Sequence, residues 1–308
     1  MSDVVADIGQ SLRNRNRADW TAEVQAIVAP RGTVSRLGRR HLSIYRPGGV
    51  TLLVGFETLQ GIQTLSPRGH PMGWQLFERY GWSTLSLVSE GDTWFRNRAV
   101  YNYFDQLVDK GFFDAFERVL FFGAGACGYA AAAFSVSAPG ARVLAIQPQA
   151  TLAPDLTEWD HRFPDQSRVN FTDRYGYAPD MIEAASRAFI AYDPLQPEDA
   201  MHATLFTRPN VTKLRLRRMG SMLLTDLFQM GVIYDVIEAC AQNLLTERKF
   251  AELMRARRDH LPYLRRLLAH LDREERDGLA RMLCHNVSAR MRAPLFAKRL
   301  QSQSENND

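Results

Sequence analysis

The sequence predicts an α/β fold, a doubly wound and mostly parallel sheet followed by a helical C-terminal module. Three observations carry that prediction. Apolar and β-branched runs alternate with amphipathic helical stretches through the first two thirds of the chain. The runs are nearly continuous in apolar residues, as strands covered on both faces are. From Leu223 onward the pattern becomes helical throughout.

In chain order, residues 1–29 read as an N-terminal helix, because Trp20, Val24 and Ile27 recur at helical spacing and Pro30-Arg31-Gly32 ends it. Strands begin near His41, where HLSIYRP, VTLLVGFET and STLSLVSEG are runs bounded by Gly and Pro. Residues 95–116 place Val100, Tyr103, Phe104, Leu107, Val108 and Phe112 on one helical face. Residues 118–149, RVLFFGAGACGYAAAAFSVSAPGARVLAIQPQ, read as strand, glycine-rich turn, small-residue helix and second strand. A long polar excursion over 151–180 contains WDHRF and RYGY. RAFIAYDP and VTKLRLRR supply two later strands, and 246–258, 262–271 and 273–290 read as helices. The predicted segments are an N-terminal helical segment (1–33), an α/β domain (34–224), a helical module (225–300) and a disordered tail (301–308).

At 308 residues with 45% apolar content the chain can bury a sizeable core. The longest weakly polar stretch, 129–138, is too short to span a membrane, and the N-terminus lacks a hydrophobic signal core. The expectation is a cytoplasmic protein with no transmembrane segment. Cys127, Cys240 and Cys284 are odd in number and widely spaced, which argues against a disulfide framework and against paired CxxC zinc ligation. No ECGxH-type thiol signature is present, so a thiol-dependent sulfonucleotide reductase has no support. The reading needs neither metal nor cofactor. Basic residues comprise 34 Arg against 4 Lys, and residues 241–300 hold 14 Lys plus Arg against 7 Asp plus Glu. Acids are interleaved and aromatics are few in that segment, so it suggests a helical interaction or homo-oligomer module and no nucleic-acid binding.

A nucleophile elbow needs small residues around the nucleophile, because the backbone turns sharply from strand to helix. Aligning Gly123-Ala124-Gly125-Ala126-Cys127 on G-x-S-x-G places Gly125 at the serine position. The stretch FFGAGACGYAAAAFS resembles the elbow of a bacterial α/β-hydrolase group that includes the accessory-secretion glycan O-acetyltransferases, whose members read G-S-S-M-G-G-Y-A-A here. Gly123, Gly128, Tyr129, Ala130 and Ala131 match, while Gly125 and Cys127 depart. Downstream, Gln147-Pro148-Gln149, Tyr192-Asp193-Pro194 and Gly220-Ser221 correspond to the strand end, the acid and the histidine stations, so Asp193 survives and Ser221 replaces the base. The resemblance covers roughly residues 50–224. It implies an α/β-hydrolase fold without a standard serine triad, that is, a pseudoenzyme binding a ligand or protein partner, linked to surface-glycan or polysaccharide biosynthesis.

Two enzymatic alternatives stay open. Cys127 could act as the acyl nucleophile of a hydrolase or acyltransferase with His202 as base and Asp193 as acid. Gly123, Gly125 and Gly128 also spell G-x-G-x-x-G after a strand, which fits a nucleotide- or S-adenosylmethionine-binding transferase, with Gln147 where the ribose-binding acid belongs. Pocket candidates are Glu57, at the end of VTLLVGF, together with Gly123, Gly125, Gly128, Gln147, Gln149 and Ser221; Glu90 ends the next strand and could face the same pocket, although strand-end carboxylates are more often solvated or capping. The WDHRF cluster reads as a salt-bridged anchor of a loop over that pocket.

Overall fold

A computed structural model describes residues 11–166 and 169–305. Eight strands form one sheet in the order β1-β2-β4-β3-β5-β6-β7-β8. They are β1 (Thr33–Leu37), β2 (His41–Arg46), β3 (Thr51–Thr58), β4 (Ser83–Ser89), β5 (Arg118–Ala124), β6 (Arg142–Ile146), β7 (Arg187–Tyr192) and β8 (Val211–Arg215). β1 and β2 run antiparallel to their neighbours, and β3 through β8 are parallel. β1 escapes a sequence reading because TVSRL has mostly exposed side chains and no apolar run.

The helices are α1 (Arg17–Val28), α2 (Leu59–Leu65), α3 (Met72–Tyr80), α4 (Arg98–Asp109), α5 (Ala126–Phe134), the single turns α6 (Pro154–Thr157) and α7 (Ala178–Met181), α8 (Pro197–Leu205), α9 (Leu223–Gln229), α10 (Ile233–Ala241), α11 (Glu247–Leu253), α12 (Leu261–Arg273), α13 (Asp277–Arg290) and α14 (Pro294–Glu305). The first ten residues of the expected N-terminal helix lie outside the described residues; α1 starts where the Asn16 side chain accepts the Asp19 amide. The single helix expected over 95–116 is α4 followed by a separate 3₁₀ turn, Phe112–Ala115, because Gly111 takes a left-handed conformation between them. α14 runs on to Glu305, past the tail boundary drawn at 301.

Alternation along the strands feeds two cores. Phe121, Val143 and Ile190 face α4, α5 and α7, whereas Leu120, Phe122, Leu144 and Ile146 face α3, α9, α10 and α11. The α9 and α10 helices therefore cover the sheet itself, and the domain boundary expected at 224/225 falls inside one packed cluster. A separate small core joins α12, α13 and α14 through Leu264, Leu268, Cys284, Val287 and Phe296. Among the described residues, no helix is long and apolar enough to cross a membrane.

Candidate functional site

The turn between β5 and α5 is where the chain departs most sharply from relaxed backbone. Gly125 sits there at φ 58° and ψ −126°, close to a region that only glycine occupies readily. Its amide donates to the Ile146 carbonyl at 2.8 Å, which ties the apex to β6. A Cβ built on Gly125 would meet nothing within 4 Å, so the space above the apex is open. The flanking glycines have a different cause. A Cβ on Gly123 would lie 2.1 Å from the Cys127 carbonyl oxygen, and one on Gly128 would lie 3.1 Å from that of Ile146. Their smallness lets α5 press against β5 and β6, which accounts for the G-x-G-x-x-G spacing by backbone packing.

Parallel strands in the order above, with an antiparallel pair at one edge and a strained strand-to-helix elbow after β5, decide the architecture. The fold is of the α/β-hydrolase type. Solved structures similar to this chain include acetyl xylan esterase from Paenibacillus sp. R4, at 12% identity and TM-score 0.41 over 76% of this chain and 98% of that one. Est1E from Butyrivibrio proteoclasticus matches at 10% identity and TM-score 0.43 over 71% and 99%. The Glycosylation Associate Protein (Gap123) complex from Streptococcus agalactiae matches at 11% identity and TM-score 0.42 over 63% of this chain and 43% of that one. No family model matches the chain, and no curated protein matches it in sequence.

In this hydrolase-type sheet a cavity of about 260 Å³ lies over the elbow, at the carboxyl ends of β3 and β5. Gly125, Ala126 and Cys127 line it from the elbow side, Glu57 and Phe56 from β3, and Tyr234 from α10. Both Glu57 carboxylate oxygens accept the Met72 amide, at 3.0 and 3.1 Å, which fixes the carboxylate against the first turn of α3. Burial still raises its pKa to about 7, although the Met72 hydrogen bond pulls the other way. Asp92 also lines the cavity. It follows β4 and precedes Trp94 and Phe95, two consecutive non-glycine residues at φ 48° and 55°. Burial of both rings holds that strained segment, as does the bond from the Trp94 indole to Gln149 Oε1 at 3.1 Å.

Of the residues the sequence nominated, Glu57, Gly125, Cys127 and Gln149 share this cavity. Gly123 and Gly128 pack beneath it. Burial, and then the negative fields of Asp92 and Glu57, push the Cys127 thiol well above its ordinary range, the reverse of what a thiolate nucleophile requires. His202 does not line the cavity; its Nε2 pairs with Asp160 Oδ2 at 2.8 Å and its Nδ1 accepts the Ala150 amide at 3.2 Å. Asp193 is occupied by the Leu195 amide at 2.9 Å and the Gly220 amide at 2.7 Å. Gln147 donates to Asp199 at 2.5 Å and accepts the Leu223 amide at 3.0 Å, while Ser221 is exposed. These stations tether loops to the carboxyl edge of the sheet. Glu90 turns away from the cavity as well, into an ion pair with Arg17 at 2.5 Å.

The WDHRF segment is anchored by charge. Although burial opposes it, hydrogen bonds from His202 and Arg162 hold Asp160 below the usual carboxylate range, and Arg162 also reaches Asp199 at 2.6 Å. Phe163 from this segment then lines the cavity. Sequence reasoning placed Phe163 in a loop over the pocket without naming it as a lining residue, and it missed Asp92 and Tyr234. Asp92 lies two residues past the nominated Glu90, at the same strand end. Nothing in the local sequence around Tyr234 marks it, since α10 reaches the cavity only through tertiary packing. No group of His, Cys, Asp and Glu able to hold a metal occurs among the described residues.

Proposed function

We propose that this chain is a catalytically degenerate protein of the hydrolase-type fold that binds a small ligand in the cavity above the elbow and performs no serine acyl chemistry. The observation that carries this reading is Gly125 at the apex. Where a nucleophilic Oγ would project there is open space, and that space belongs to the cavity. Triad members act as a unit, so a surviving acid without nucleophile does no acyl transfer. Asp193 supports the reading further, because both its oxygens are committed to backbone amides. The elbow's resemblance to glycan O-acetyltransferases makes surface-glycan or polysaccharide biosynthesis the pathway we propose for it.

The test combines activity with binding. Purified protein offered short acyl esters between pH 6 and 9 should show only the background hydrolysis rate. In a thermal-shift screen, a ligand that binds the native state raises the melting temperature by mass action, and Gly125→Leu, which fills the cavity from its floor, should abolish that rise. Ester turnover that disappears in Cys127→Ala would overturn the proposal and establish thiol chemistry in its place.

A further inference from the structure

Glu57 and Asp92 contribute carboxylates to the cavity lining, His70 contributes an imidazole, and no Lys or Arg lines it among the described residues. Most of the remaining wall is apolar, with the rings of Phe56, Phe163, Phe228 and Tyr234 in it. Anionic ligands, including phosphates, nucleotides and carboxylates, would enter against two carboxylates with no Lys or Arg among the described residues to meet them. A cation gains twice, from the carboxylates and from aromatic faces whose quadrupoles attract positive charge. Glu57 also has capacity to spare. A carboxylate offers about four lone-pair positions, and among the described residues the Met72 amide alone is seen to donate to it.

We propose that the ligand of this cavity carries a protonated amine, seated on Glu57 with Asp92 as the second negative group and its apolar body against the aromatic wall. The inference rests on the reading of the cavity as a ligand site and names the chemical class that the site selects. The raised pKa of Glu57 in the free protein is consistent with it, because a carboxylate desolvated without a counter-charge is the group an ammonium would relieve.

Three probes of nearly equal shape and different head-group charge decide the matter: 2-phenylethylamine, 2-phenylethanol and phenylacetate, titrated calorimetrically into the full-length protein at pH 7.5. The amine should bind at least about tenfold tighter than the alcohol, the value of one charge-assisted hydrogen bond, and phenylacetate more weakly than either. In Glu57→Gln, which keeps the shape and the Met72 bond, the advantage of the amine should fall to near parity with the alcohol. Asp92→Asn should reduce it partially, which keeps the question open to measurement if the Glu57 variant folds poorly. Equal binding of amine and alcohol by the wild type would overturn the cationic inference while leaving a ligand site standing. Binding of none of the three would count against both.

Discussion

At the residue scale, glycines in different places have separate reasons for being glycine. Gly123 is excluded from bearing a side chain by the Cys127 carbonyl 2.1 Å from where its Cβ would lie, whereas Gly81, at φ 67°, has open space and only a conformational reason. Gly123→Ala should therefore cost roughly 3 kcal/mol, the upper end of overpacking penalties, and Gly81→Ala only about 1 kcal/mol from its left-handed backbone. Urea denaturation of the two variants checks the order. Glu57 gives a pH prediction of definite sign. Its pKa is raised from 4.5 to about 7, so the folded state holds the proton more tightly than the unfolded chain. The associated stability is fully present below about pH 4.5 and is lost as pH rises through 7. His70, Asp92, Cys127 and Tyr234 share the cavity, so the curve is to be read as a difference against Glu57→Gln. The variant should gain stability relative to wild type between pH 5 and pH 8. A flat difference across that range would refute the assignment of the raised pKa to Glu57.

At the element scale, the strained segment after β4 depends on Arg96. Its guanidinium is almost wholly buried, donating to the Asn170 carbonyl at 2.9 Å, the Arg174 carbonyl at 2.7 Å and the Tyr129 hydroxyl at 3.3 Å, and pairing with Asp173. One side chain thus binds the β4 exit, the elbow helix α5 and the loop over 169–176. Two left-handed non-glycine residues cost about 1–2 kcal/mol each, so the segment holds its shape only while its neighbours fix it. Arg96→Ala removes the charged donor of the Asn170 and Arg174 carbonyls and of the Tyr129 hydroxyl together with the Asp173 pair, and should cost about 3 kcal/mol. It should also speed limited proteolysis within 169–176 and weaken amine binding, since Asp92 sits four residues upstream. Unchanged proteolysis would show that the loop is held by something else.

At the scale of the whole molecule, the C-terminal helices divide into two parts. α9, α10 and α11 cover one face of the sheet, with Phe250 and Met254 buried beside Leu214 and Leu216. α12 to α14 form their own small core and are clamped on by polar contacts: Asp226 accepts from His260 at 2.9 Å and from Arg266 at 2.5 Å, and Arg266 also donates to the Arg218 carbonyl at 2.9 Å. Truncation after residue 276 should leave a folded protein that retains its ligand affinity. Truncation after residue 245 strips apolar cover from the sheet and should lower the melting temperature and cause aggregation. Light scattering coupled to size exclusion separates the two outcomes, and equal behaviour of both truncations would refute the division.

Hydrophobic periodicity and turn chemistry are local properties, and they were sufficient for the α/β class, for seven of the eight strands and for the elbow with Gly125 at its apex. Glu57 and Gln149, nominated because strand ends in such sheets converge on one edge, both line the cavity. What the local pattern could not contain was the assignment of partners. Asp193 and His202 look like triad members in one dimension, and only the folded chain shows their oxygens and nitrogens taken by Gly220, Leu195, Asp160 and Ala150. The charge of the cavity was likewise decided by tertiary structure. Tyr234 and Phe163 come from segments far apart in the chain, and the pair of carboxylates arises only once packing has brought Glu57 and Asp92 to a common wall, with no Lys or Arg lining it among the described residues.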